Sequence, residues 1–260
     1  MVHVNKINHI YYYNKCNCRN NYNFGDFITP YIYKKINRVE AIYSQKERHV
    51  LGAGSILHRS NANSIIWGTG FIVGNERKIK SHKILSVRGK LTRQRLVNTG
   101  IQCPELYGDI GLILPHFYKP NIEKKYKLGI IPHYIDVPTF NKTGYMKDNT
   151  IIIDVTDPIE TVVSNIQSCE YTISSSLHGI IASHAYNVRS MWIRMSDLIV
   201  GGNFKFRDYY SSVIEKGWED LLPYTYKEPI AIDDMIDLIN NYPDPVFPIN
   251  TRSILDLCPF

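Results

Sequence analysis

The sequence predicts an α/β protein of two Rossmann-like domains facing a cleft. Three observations carry this. Short apolar strands alternate with amphipathic helices, the pattern of parallel sheets joined by right-handed crossovers. Several strands are almost uninterruptedly apolar, as strands buried on both faces are. The charge is also split between the halves. Residues 1–120 hold 18 Lys and Arg against 6 Asp and Glu, a net of +12, and residues 121–260 hold 12 against 18, a net of −6. A basic domain over 1–120 and an acidic one over 121–260 follow. The hinge is placed in the polar stretch 118–126, and the terminal helix is free to pack back on the first domain.

The elements follow in order. His9 to Tyr13 reads as a strand, and Ile28 to Ile36 has helical spacing with Pro30 tolerated in its first turn. Val50 to Gly52, Ser64 to Trp67 and Lys83 to Val87 read as strands. Lys90 to Thr99 reads as a helix that Gly100 stops. In the second half Lys127 to Pro132, Thr150 to Val155, Tyr171 to Ser174 and Ser190 to Met195 read as strands. Asp157 is expected to cap a helix that has Pro158 at its first position and Glu160 completing a capping box, and which runs to Ser168. His178 to Tyr186, Ile232 to Asn241 and Asn250 to Leu257 complete the helices.

With 44% hydrophobic and 21% charged residues, the chain has the composition of a globular protein. No apolar run reaches about 18 residues, and the polar residues among the first thirteen exclude a signal peptide. The expected location is the cytoplasm. Five irregularly spaced cysteines do not make a disulfide framework, and Cys16-Asn17-Cys18 is too tight for a zinc pair, so two reduced loop thiols and no metal are expected. The basic run Arg77 to Arg95 lacks interleaved aromatics, so no nucleic-acid partner is expected.

In such sheets ligands lie beyond the carboxyl ends of strands. Ser174-Ser175-Ser176-Leu177-His178-Gly179 ends an apolar strand at the start of a helix, where backbone N–H groups and the helix dipole favour an anion. Ser174, Ser175, Ser176 and Gly179 are therefore candidate anion binders and His178 a candidate proton donor. Arg88, at a second strand end before Gly89, offers a fork suited to carboxylate or phosphate, and Arg93 lies one turn on. His133 follows a third strand. Asn23, Gly25 and Asp26 follow the first: Asn23 suits a sugar hydroxyl, and Asp26 suits a proton. Each of these residues also has a purely structural use as a cap, a turn or a packed side chain. Gly108-Asp109 reads as a structural turn. The glycine turns 52–54 and 68–70 lack the third glycine of a dinucleotide fingerprint.

Taken in order, Asn23-Phe24-Gly25-Asp26, Gly52-Ala53-Gly54, Ser86-Val87-Arg88-Gly89 with Leu91-Thr92, Gly108-Asp109 with Leu112 to Pro115, Ile131-Pro132-His133-Tyr134 and Ser174 to Gly179 resemble the polysaccharide pyruvyl transferase family. The resemblance implies a GT-B-like glycosyltransferase architecture. It also implies transfer of pyruvate from phosphoenolpyruvate to two sugar hydroxyls, without a further cofactor. His178 would be the general acid, Arg88 the charge on the donor and Asp26 the base for the acceptor. Ser174, Ser175, Ser176, Gly179, His133 and Arg93 would line the donor side, Asn23 and Gly25 the acceptor side. Many members carry an arginine where this chain has Ser176, which leaves its charge to Arg93, Arg194 or another residue. The implied partners are phosphoenolpyruvate and a sugar or lipid-linked glycan, with the basic half resting on anionic membrane. The same plan serves nucleotide-sugar glycosyltransferases and inactive glycan-binding relatives, and both readings stay open at the level of sequence.

Overall fold

The computed structural model describes residues 7–15, 18, 22–74, 79–143 and 148–260. Two five-stranded parallel sheets form its frame. The first contains β1 (His9–Tyr11), β2 (Ile42–Tyr43), β3 (His49–Leu51), β4 (Ser64–Trp67) and β5 (Lys83–Ser86), in the order β2-β1-β3-β4-β5. The second contains β6 (Tyr126–Ile131), β7 (Thr150–Ile152), β8 (Cys169–Ser174), β9 (Arg189–Arg194) and β10 (Tyr224–Thr225), in the order β10-β9-β8-β6-β7. Every described pairing between these strands is parallel. The inner strands are the apolar ones: Ser64-Ile65-Ile66-Trp67 is buried along its length, as β-branched and aromatic residues covered on both faces should be.

Among the described residues eight α-helices cover the sheets: α1 (Ile28–Asn37), α2 (Lys90–Asn98), α3 (Val137–Thr143), α4 (Ile159–Gln167), α5 (Leu177–Ala185), α6 (Phe204–Val213), α7 (Ile232–Asn241) and α8 (Arg252–Asp256). Helix α2 ends as its sequence requires. Gly100 takes a left-handed φ of 79°, which a side chain would disfavour. Helix α4 departs from expectation. Pro158 rather than Asp157 occupies its cap position and no side chain caps it. Glu160 does not close a capping box; it accepts the Tyr31 hydroxyl at 2.8 Å and pairs with Lys35 at 2.8 Å, tying α4 to α1. The expected strand 150–155 stops at Ile152, and the Val155 carbonyl accepts the Phe24 N–H at 2.9 Å instead. The first strand likewise ends at Tyr11, two residues early, and Tyr13 turns into the cleft.

The segment between the sheets is pinned: the Tyr186 hydroxyl donates to the Tyr118 carbonyl, and Tyr118 meets Ser164 at 3.0 Å. The chain end returns to the first sheet. The Trp67 indole N–H donates to the Ile254 carbonyl in α8 at 3.0 Å, and Phe260 packs edge-on against Tyr33 and Trp67. Cys18 is disulfide-bonded, which corrects the expectation of a free thiol there, and Cys16 lies outside the described residues. So does the start of the basic run at Arg77. Among the described residues no helix is long and apolar enough to cross a membrane.

Candidate active site

The carboxyl ends of the two sheets meet at a cavity of about 400 Å³, within the usual size of small-molecule sites. The first half contributes Tyr13 after β1, Asn23 and Asp26 before α1, and Ser55, His58 and Arg59 after β3. The second contributes His133 and Tyr134 after β6, Ser176 and His178 after β8, and Lys205 after β9. Residues about 180 positions apart thus share one wall because each follows a parallel strand that ends there.

The loop before α1 is shaped for contact across this cavity. Asn23 is buried, and its side-chain oxygen accepts the Gly25 N–H at 3.0 Å in a tight turn. Asn23 therefore holds the loop as well as lining the cavity. Gly25 lies against His178: a Cβ there would come within 2.1 Å of Nδ1. The glycine is what lets the imidazole sit at this depth. Burial pushes the Asp26 carboxyl up to about 7, and Lys205 opposes the rise.

The loop after β8 divides the three serines. Ser174 Oγ lies 2.9 Å from the Ile131 and Ser176 carbonyls and accepts the Ser176 N–H, so it shapes the turn. Ser175 Oγ accepts the His133 N–H at 2.9 Å and joins β8 to β6. Of the three, Ser176, at the N-cap of α5, lines the cavity. Gly179 lies where a Cβ would meet Ser174 Oγ at 2.4 Å, so its part is close packing of α5 on β8.

The His178 Nε2 is buried without a hydrogen bond, 4.0 Å from Asp109 Oδ2, which also lacks one. Asp109 Oδ1 accepts the Gly111 N–H at 2.8 Å and caps a 3-10 helix over Ile110–His116. The turn read as structural therefore also brings a carboxyl to the histidine. Burial raises Asp109 to about 6, while its hydrogen bond and the Arg88 charge pull the other way. Burial, then Arg88 and Lys205, hold His178 down at about 3. Burial, Lys205 and His178 do the same to His133, also about 3. The Nδ1 of His133 accepts the Ile135 N–H at 3.2 Å, which leaves the proton of the neutral ring on Nε2.

The structure gives Arg88 other partners than a donor. It is 0% exposed and absent from the cavity lining. Its Nε donates to Asp208 at 2.9 Å and its terminal nitrogens to Ser55 Oγ and the Phe71 carbonyl, both at 2.6 Å. Ser55 lines the cavity, so Arg88 stands one residue behind the wall. Gly89 admits α6 rather than a ligand, since a Cβ there would collide with the Asp208 carbonyl oxygen. Arg93 pairs with Glu105 at 2.9 Å and donates to the Cys103 carbonyl, away from the cavity lining. Arg194 donates to Asn203 at 2.9 Å and is not in the lining either. Lys205, Asp208 and Asp109 are what sequence reasoning missed.

An uncharacterized protein of Acanthamoeba polyphaga mimivirus is 36% identical over 171 residues, 63% of this chain and 59% of that protein. The chain thus matches about three fifths of that relative's length. No solved structure matches. The strand-end segments that meet at the cavity, from the Asn23 loop to the His178 turn, all lie inside residues 6–197, the stretch matched by the family model for polysaccharide pyruvyl transferases, and the chain belongs to that family.

Proposed function

We propose that the protein transfers the pyruvyl group of phosphoenolpyruvate to two hydroxyls of a glycan, closing a cyclic ketal. The observation that carries this is a cavity between the carboxyl ends of two parallel sheets. It joins two neutral histidines, one carboxyl poised near neutrality and an ammonium. Such a set suits an anionic donor whose methylene carbon must gain a proton while its acceptor loses two, one from each hydroxyl.

His178 protonates the methylene carbon, which makes the central carbon electrophilic. A sugar hydroxyl attacks that carbon and gives its proton to Asp26, whose raised pKa fits a base working near neutral pH. The bond from the central carbon to the bridging oxygen breaks and inorganic phosphate leaves. A second hydroxyl then attacks the same carbon to close the ring and gives its proton to His178, while the proton on Asp26 passes to the departing phosphate, so both residues return to their starting states. Burial, then the Arg88 and Lys205 charges, keep His178 neutral; the donor's negative charges offset those two, and Asp109 steadies the imidazolium. Arg88 acts through its field and through Ser55. Ser176 and the His133 ring N–H face the donor, and Asn23 faces the acceptor. Incubation with phosphoenolpyruvate and a panel of glycans should release phosphate and add the mass of a pyruvate ketal to one acceptor. Phosphate release that follows a nucleotide-sugar instead would replace this reading with glycosyl transfer.

The same reading places the glycan on a lipid carrier in the cytoplasm. Arg38, Lys46 and Arg48 are exposed in the segment that also exposes Val39, Ile42 and Tyr43 at the edge of the first sheet, with Glu40 and Glu47 offsetting part of their charge. Each such cation contributes about 1 kcal/mol at an anionic bilayer. Sedimentation should show binding to anionic vesicles that salt reverses, and equal binding to neutral vesicles would reject the electrostatic account.

A further inference from the structure

Lys205 breaks two rules at once. It sits in the first turn of α6, where the helix dipole disfavours a cation. It is also 7% exposed, and lysines are rarely buried unless paired. Among the described residues its ammonium forms no ion pair; its nearest aromatic partner is the Phe206 ring, 5.5 Å from the centroid. The chain makes room for it. Gly201, at a left-handed φ of 102°, lies where a Cβ would come 3.2 Å from the Lys205 side chain and 2.6 Å from the Ile72 carbonyl.

The charged and titratable groups around it come from several elements. Arg88 lies behind the wall after β5, Asp26 before α1, Asp136 after β6, and His133 and His178 on the loops after β6 and β8. Arg88 is already neutralised by Asp208 at 2.9 Å. Asp136 accepts a hydrogen bond from Ser196. That leaves Lys205 as a buried positive charge with no ion pair among the described residues, opposed only at longer range by Asp26 and by Asp136, whose second oxygen has no hydrogen bond. A buried charge without a partner is costly, and a ligand anion removes the cost.

We propose that Lys205 is the anion anchor of the cavity, binding the carboxylate or phosphate of the donor and supplying from α6 the charge that Ser176 does not. The proposal rests on the pyruvyl-transfer reading for the identity of the donor, but not for the existence of an anion site. Lys205 lies beyond residues 6–197, the stretch that the family model matches. The pKa near 8, lowered by burial and by Arg88, keeps the side chain largely charged at neutral pH.

Calorimetric binding of phosphoenolpyruvate and of inorganic phosphate, near neutral pH, tests this on the wild type, Lys205→Met and Asp26→Asn. Lys205→Met should weaken both ligands by about 10- to 100-fold, the loss of a hydrogen bond to a charged group. Its melting temperature without ligand should equal or exceed that of the wild type, because a buried charge is gone. Asp26→Asn should tighten both ligands by removing the opposing charge. Unchanged affinity in Lys205→Met would overturn the anchor and leave the pyruvyl reading standing. Lysine-dependent binding of phosphate without binding of phosphoenolpyruvate would keep the anchor and reject the donor. A wild type that binds neither anion would overturn both.

Discussion

Replacing His178 with asparagine is expected to lower kcat by about 10²–10⁴-fold, the usual contribution of a positioned acid or base. Affinity for phosphoenolpyruvate should change far less, because the proposed anion anchor is Lys205 rather than His178. The reason lies in the side chain's surroundings. Its Nε2 faces the Asp109 carboxyl and its Nδ1 lies over Gly25, so the ring, carried by the second half, is held between two groups of the first. Two linked observations would separate chemistry from packing. Burial, Arg88 and Lys205 hold His178 at about 3, so donor binding that raises this value must take up a proton. Calorimetry in buffers of different ionisation enthalpy should register up to about one proton in the wild type and less in His178→Asn. Gly25→Ala, which adds a methyl group where the ring sits, should reproduce much of the loss in kcat with the histidine still present. Full turnover in His178→Asn would remove this residue from the proposed chemistry.

The frame and one rim of the cavity were legible because their signals are local. Apolar runs such as Ser64 to Trp67 and the hydroxyl-rich strand end at Ser174 state their structure within a few residues. Gly100 marks its helix end by the same logic. Helix α6 was not legible. It buries Lys205, Asp208 and Ser211 beside Phe206, Tyr209 and Tyr210, so its inward face does not read as apolar. The polar residues on that face are buried because of groups far away in the sequence: Asp208 by Arg88 and Thr92, Ser211 by the Lys90 N–H. The same distance misled the reading of Arg88. A strand-end arginine before a glycine looks like a ligand fork until a carboxylate 120 positions later is seen to fill it. The capping box failed for a related reason: Pro158, with extended backbone, takes the cap position from Asp157, and Glu160 turns to Tyr31 and Lys35 on α1.

The Arg88–Asp208 pair carries the largest expected effect on stability. Both side chains are 0% exposed and 2.9 Å apart. Asp208 does more than neutralise Arg88. Its carboxylate accepts the Thr92 N–H and the Thr92 hydroxyl, both at 2.7 Å, and so caps α2 from another helix at the positive end of its dipole. Asp208→Ala would leave a guanidinium buried without a counter-charge and α2 without its cap. The expected cost is about 3–5 kcal/mol, a large share of the stability of an ordinary domain. Asp208→Asn keeps a cap for Thr92 but not the charge. If the damage is the unpaired cation, Arg88→Met should recover part of the loss in the Asp208→Asn background while destabilising the wild type. A double-mutant cycle by urea unfolding should then give a coupling of about 1–3 kcal/mol. Additive effects, or an Asp208→Ala cost below about 1 kcal/mol, would show that the pair does not hold α6 against α2. That contact matters to the site because α6 is the helix that carries Lys205 into the cavity, and its backbone already touches Gly89 as closely as a glycine allows.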